Sequence, residues 1–316
     1  MLIINPAKMS TQTFYSNGKL MITGEYLALA GSLVLALPLR FGQSMQVEKL
    51  SAQGPWLTWT AHEKGRQWYQ DVFRESGFEP ANPNDPVSVN LQKLLLQASE
   101  MNLAFPERGF SYKITTDTNF PLNWGLGSSS TLVSNLAWWA GVDPFKLLFS
   151  TMGGSGYDIA CARSQEPIIY RFNGKDQEPS VCVVGFEPPF RQNLWFVYTG
   201  RKQSSARSIE GINPGNFDGH SLERLSELTM KIARETDLKH FMRLITAHET
   251  VVARAINQVP LQEARFDDFS GVIKSLGAWG GDFCLAASVE GEEKVKRYFA
   301  EKSCETVFNY SEIVLK

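Results

Sequence analysis

No apolar stretch in this 316-residue sequence approaches the roughly 20 residues needed to span a membrane as a helix. The opening residues, MLIINPAKMSTQTFYSNGK, also lack the basic segment and apolar run of a secretory leader. The longest apolar tract, Tyr26 to Leu39, is interrupted by Gly31, Ser32 and Pro38, and reads as a buried element with a turn. An excess of charge is missing too. With 31 Lys and Arg against 33 Asp and Glu, the formal net charge is −2, so no global field draws the chain to nucleic acid or to an anionic membrane. Any anion site must be local. Cysteine is scarce: Cys161, Cys182, Cys284 and Cys304 form no CxxC pair and sit mostly among apolar residues, which predicts buried free thiols in a reducing compartment. His62, His220, His240 and His248 show no metal-ligand spacing such as HExxH and are expected in the core or on the surface. Asp267-Asp268 in RFDDFSG is expected in a loop or helix cap, and no GxSxG elbow has a partnered histidine. The expectation is a soluble, cytoplasmic protein with a small-molecule substrate, no nucleic-acid or membrane partner, and a homodimer as the oligomer to consider.

With 43% of residues hydrophobic the chain can bury a sizeable core, and its length suggests two domains or one large one. Leu20-Met21-Ile22 predicts a strand leading through Thr23-Gly24-Glu25 into the apolar residues around Gly31. Further strands are expected at 45–50, 56–60 and 68–73, a succession that suggests an antiparallel sheet. Val89, Leu91, Leu94, Leu95, Ala98 and Met101 recur at helical spacing within 87–101, and residues 110–116 alternate as a half-buried strand. An almost wholly apolar helix over 131–140 ends at Gly141, and a second helix follows over 144–151. Later residues predict strands at 167–172, 181–184 and 194–198, helices between 222 and 259, a strand at 283–288, a charged helix at 292–302 and a strand at 306–309. The class is α+β. Residues 200–219 are polar, basic at their start, and expected close to a substrate.

The chemistry concentrates in Pro121-Leu-Asn-Trp-Gly-Leu-Gly-Ser-Ser-Ser-Thr131, between a predicted strand and the apolar helix. Glycines allow backbone amides to approach phosphate oxygens, and serine hydroxyls with a helix N-terminus add donors and partial positive charge. The segment Gly125, Leu126, Gly127, Ser128, Ser129 and Ser130 is therefore a candidate phosphate loop, though neither a GxxxxGK[ST] nor a Rossmann pattern. On the loop alone, a Gly/Ser turn capping a helix remains the alternative.

The loop resembles the central motif of the GHMP kinases, the superfamily of galactokinase, homoserine kinase, mevalonate kinase and phosphomevalonate kinase. Three further segments are similar to that superfamily in the same order: Gly18-Lys-Leu-Met-Ile-Thr-Gly-Glu-Tyr-Leu27, Gly154-Ser-Gly-Tyr-Asp-Ile-Ala160 and Gly277-Ala-Trp-Gly-Gly-Asp282. GSGYDIACA followed by IIYRF, YTGRKQSS at 198–205, and the aspartate closing GAWGGD are similar to the phosphomevalonate kinase branch. The resemblance implies an N-terminal domain like domain 2 of ribosomal protein S5, over 1–185, and a C-terminal ferredoxin-like domain, over 186–316, with ATP and Mg2+ as cofactors.

By the same resemblance, Asp158 orients or deprotonates the acceptor, and Lys19 pairs with it or neutralises the transferring phosphoryl group. A helix-capping aspartate and a surface lysine are the bland readings of these two residues. The acceptor is phosphomevalonate or mevalonate, with Glu25, Ser155, Tyr157, Arg201, Lys202, Ser204, Gly280, Gly281 and Asp282 joining Lys19 as candidate substrate contacts. A phosphomonoester is already largely ionised near neutral pH and needs cations more than a base, for which Arg163, Arg171, Arg201 and Lys202 are candidates. Two departures from the family stand out. Lys146 to Gly156 contains no acid where mevalonate kinases place a magnesium-binding glutamate, leaving Ser128 as the expected protein ligand, and Trp279 stands where a glycine is usual. Other acceptors such as a sugar or homoserine, diphosphomevalonate decarboxylation, and a binding protein without turnover are the alternatives.

Overall fold

The structure, a computed structural model, describes residues 8–51, 55–200, 219–277, 279 and 281–315. They form two compact units interleaved along the chain. One is drawn from Met1–Gly18, Phe41–Leu122 and Gly127–Arg163, and the other from Lys19–Arg40, Asn123–Leu126 and Ser164–Lys316. The class is mixed α+β, as expected.

In the first unit, strands β3 (Leu57–Glu63), β4 (Arg66–Phe73) and β5 (Phe110–Thr118) and the C-terminal part of β2 (Val34–Ser51) form a sheet in the order β4-β3-β5-β2, with β1 (Lys8–Thr23) also paired to β2. The expected antiparallel sheet is corrected at one pair. β3 runs parallel to β5, because helix α1 (Pro86–Met101) crosses over between the β3–β4 hairpin and β5. Asp85 starts α1 by accepting from the Val87 N–H at 2.7 Å, with Pro86 at the first helical position, where its missing N–H costs nothing. Asp143 caps α3 (Pro144–Thr151) in the same way. These helices, with α2 (Ser128–Ala140) and α4 (Tyr157–Arg163), cover a core that includes Val47, Trp59, Phe73, Leu95, Ile114, Leu136 and Ile159.

A second correction concerns Pro38, expected to interrupt the apolar tract and found inside β2. The strand changes partner around it. Residues 34–36 pair with β6 (Ile168–Arg171), and residues 43–51 pair with β5. The absent N–H of Pro38 therefore falls between two ladders, and its carbonyl accepts from Leu315 at 2.9 Å.

The second unit holds the β2–β6 pairing, extended by β7 (Ser180–Val183), and a separate antiparallel sheet. Its strands are β8 (Leu194–Tyr198), β9 (Val272–Ser275), β10 (Phe283–Ala287) and β11 (Val307–Asn309), in the order β11-β8-β10-β9. Helices α5 (Gly219–Arg234), α6 (Leu238–Ala255), α7 (Leu261–Arg265), α8 (Glu292–Glu301) and α9 (Tyr310–Ile313) complete it. No disulfide links the four cysteines, and Cys161, Cys284 and Cys304 are buried as expected. Cys182 is exposed instead: β7 pairs only with β6 among the described strands, and each of its four residues faces solvent.

One buried polar network fixes α2, the helix that carries the loop serines. Ser16 Oγ lies 2.9 Å from Ser134 Oγ and 2.8 Å from Asn135 Oδ1, and Asn135 Nδ2 donates to the Gln43 carbonyl at 2.9 Å. All four residues are buried, so removing the amide would take this donor from the Gln43 carbonyl in a place away from water and leave Ser16 only Ser134 as a partner in the network. Asn135→Ala is expected to lower unfolding stability by about 1–3 kcal/mol in urea titration; an unchanged midpoint would show that the network does not hold α2.

Candidate active site

The chain leaves β5 and makes a single 3-10 turn at Leu122–Trp124. The Trp124 ring anchors this entry, 5.8 Å from Phe283 and 5.5 Å from Phe308 in edge-on contacts. Gly125 and Gly127 follow with φ of 67° and 96°, in the left-handed region that favours glycine, and Leu126 between them is fully buried. At Gly125 a side chain has no room either, since an added Cβ would lie 2.2 Å from Asp282 Oδ2. Lys19 grips the same turn twice: its N–H donates to the Leu126 carbonyl at 2.9 Å and its Nζ to the Gly125 carbonyl at 3.0 Å.

α2 begins at Ser128, so the serines occupy its first turn rather than preceding the helix. Its N-cap, Gly127, offers no side-chain acceptor, and the first turn contains no acid. A 13-residue helix thus starts with its N–H groups uncapped by side chains, and its dipole adds partial positive charge there. Ser130 Oγ donates to the Gly127 carbonyl at 2.8 Å and Thr131 Oγ1 to the Ser128 carbonyl at 2.9 Å, closing the turn. Ser128 is half-buried and Ser129 exposed. Backbone amides beside hydroxyls, with no acid in the first turn of the helix, suit a polyphosphate. Among the described residues no group of three His, Cys, Asp or Glu is placed to hold a metal.

Asp158 lies in the first turn of α4, after Gly153, Gly154 and Gly156, all with left-handed φ. Its carboxylate, half-buried, accepts from the Ile159 N–H at 3.0 Å. Ser155 is buried and Tyr157 half-buried beside it, and α4 packs against α2. Arg163, at the far end of α4, sits over the Trp138 ring at 4.5 Å, and burial lowers its pKa.

In the second unit, Glu25 is buried and bonded to Lys274 Nζ. Lys274, itself fully buried, also donates to the Ser275 carbonyl at 2.8 Å and lies 3.7 Å from Glu249 Oε2. His248 Nε2 accepts from the Gly24 N–H at 3.2 Å. Burial, and then the Lys274 charge, hold this histidine's pKa well below its ordinary value, so it is neutral. Lys274 and Glu249 were not visible as site residues in the sequence. The available signal was a lysine inside the apolar run Val272-Ile-Lys-Ser-Leu276, a strand the periodicity also missed. Trp279 donates its N–H to the Tyr26 hydroxyl at 2.6 Å and its Nε1–H to the Val259 carbonyl at 2.9 Å, and packs in a cluster with Leu27, Leu225 and Val252. Asp282, buried, has a φ of 45°, and its backbone carbonyl accepts from the Thr199 N–H at 2.8 Å. Gly281 is described; Arg201, Lys202, Ser204, Ser205 and Gly280 lie outside the described residues. A cavity of about 1020 Å³ opens in the same unit between the Ala30–Leu33 segment, Arg171 and α5, but none of Lys19, Glu25 or Asp282 lines it.

No protein-family model and no curated protein matches this chain. Solved structures do. The Streptococcus pneumoniae phosphomevalonate kinase in complex with phosphomevalonate and AMPPNP superposes with a TM-score of 0.70 and 16% identity, covering 94% of this chain and 99% of that one. The Methanococcus jannaschii mevalonate kinase gives 0.68 and 15%, covering 98% and 100%. The Lactococcus lactis galactokinase complexed with galactose gives 0.61 and 12%, covering 93% and 89%. The chain therefore has the fold of the GHMP kinases, in agreement with its motifs.

Burial pushes the Glu25 carboxyl up to about 7 from its ordinary 4.5, against the pull of Lys274. The folded chain thus holds this proton more tightly than the unfolded one. The resulting stabilisation is full below pH 4.5 and is lost as pH rises through about 7. Glu249, also raised by burial, acts in the same sense, while neutral His248 acts in the opposite one, so the Glu25 share must be isolated by difference. Melting temperatures of wild type and Glu25→Gln between pH 4 and 8 are expected to show wild type losing stability relative to the variant as pH rises; a constant difference would contradict this.

Proposed function

We propose that this chain is an ATP-dependent phosphotransferase whose acceptor is phosphomevalonate or, second, mevalonate. The observation that carries the reading is the N-terminus of α2, without a side-chain cap, behind the two left-handed glycines. When bound, ATP supplies the phosphoryl group and Mg2+ offsets charge on its oxygens. Residues 125–130 would hold the phosphates, with Ser128 as the protein ligand to the metal.

Lys19 keeps the turn closed through two carbonyls, and its ammonium group would offset charge that develops during transfer. Asp158 would orient the acceptor. For an alcohol it would also accept the proton, whereas a phosphomonoester arrives largely ionised and needs no base. The phosphomevalonate reading is supported by the segments 154–162, 168–172 and 198–205 and by the neighbour bound to that compound. A sugar, homoserine, or a decarboxylation of the kind named by a Staphylococcus aureus mevalonate diphosphate decarboxylase neighbour would use the same donor seat.

Release of ADP from ATP-Mg should be measured against phosphomevalonate, mevalonate, diphosphomevalonate, galactose and homoserine. Phosphomevalonate-dependent turnover is the expected result, and ATP consumption with none of the five would sink the acceptor assignment. Asp158→Ala is expected to retain nucleotide binding and to lose on the order of 10²–10⁴ in kcat with mevalonate, for which it would also act as base, and less with phosphomevalonate, which it would only orient; full activity with both acceptors would remove Asp158 from the mechanism.

A further inference from the structure

Lys274 is a lysine without solvent exposure, set between two carboxylates that are also buried. Stability does not explain such an arrangement. Apolar side chains of similar volume commonly serve as well or better, because desolvation offsets most of the attraction between buried charges. Several polar atoms of this cluster make no hydrogen bond to the described residues: Glu25 Oε2, Glu249 Oε2, His248 Nδ1 and Ser275 Oγ. The cluster therefore carries a desolvation cost that its hydrogen bonds only partly offset.

Its location is more informative. Glu25 belongs to the Gly24–Tyr26 turn that ends β1, the strand whose Lys19 holds the carbonyls of Gly125 and Leu126. Lys274 lies on β9, which leads into the segment ending at Asp282, whose carboxylate closes off the space beside Gly125. The turn at Gly24–Tyr26 is pinned at three successive residues: Gly24 N–H by His248, Glu25 by Lys274, and Tyr26 Oη by the Trp279 N–H. Gly24 itself has a φ of 90°, and a Cβ there would meet the Leu33 carbonyl at 2.7 Å, so the position admits only glycine.

We propose that Lys274 is a positioning residue for the phosphate seat, acting through Glu25 to hold together the two segments that bound Gly125. Neither group can touch a ligand directly, since Lys274 is fully enclosed and Glu25 only 2% exposed. This inference rests on the nucleotide reading of the loop above.

The test is a double-mutant cycle in the full chain, with Lys274→Met, Glu25→Gln and the double variant, reading the Kd of a fluorescent ATP analogue with Mg2+ alongside the melting temperature. Each single variant is expected to weaken binding about tenfold, and the double variant about tenfold rather than a hundredfold, as for residues that act as one unit. Unchanged Kd with a lowered melting temperature would make the cluster a scaffold only, and multiplicative losses would make the two residues independent; either result overturns the proposal. If Lys274→Met does not fold, Lys274→Met/Glu25→Leu replaces the pair with apolar groups. Wild-type affinity in that folded variant would also overturn it. Failure of the wild-type chain to bind the analogue would instead refute the nucleotide reading, and this inference with it.

Discussion

A strand has to give way to a buried helix within a few residues while leaving that helix's N-terminus without a side-chain cap. Gly125 and Gly127 satisfy this demand by adopting left-handed conformations on either side of a buried leucine. Much of the neighbouring structure serves the same turn. Lys19 holds its carbonyls, Trp124 anchors its entry among aromatic rings, and the Ser16–Asn135–Gln43 network fixes the helix that follows. A side chain at Gly125 would face both an unfavourable φ and the Asp282 carboxylate, so the position is constrained by conformation and by space together.

The serines divide their work accordingly. Ser130 and Thr131 spend their hydroxyl protons on carbonyls of the turn, while Ser128 stays half-buried at the first helical position. In the proposed reading, the partial positive charge of the helix end and the Lys19 ammonium would favour an anion. Such a local field is compatible with a chain whose net charge is only −2. Trp279 is reconciled as well: its ring is taken up by the cluster around Leu27 and Val252, and its backbone N–H by Tyr26.

Local signals were legible wherever the physics is local. Asp85-Pro86 and Asp143-Pro144 start helices because a short carboxylate side chain can reach the next N–H groups and proline preorganises the first turn. The alternation of residues 110–116 and the apolar periodicity of 87–101 marked β5 and α1 within one or two residues. Pro38 misled, because its effect on a strand depends on which neighbour would have received its N–H, and that is decided by β5, β6 and residue 315. β9 escaped notice because a buried lysine breaks its apolar run.

What the sequence determined by itself was the order of the chemistry-bearing segments, the glycine-dependent turn and the apolar helix behind it, since these follow from backbone conformation and near-neighbour periodicity. Only the tertiary structure decided that Lys274 meets Glu25 across 249 residues, that β3 runs parallel to β5, and that Cys182 faces solvent. Each of these depends on which distant group arrives to take a hydrogen bond, neutralise a charge or cover a strand edge. Such choices are made by the packing of the whole chain, and no window of neighbouring residues encodes them.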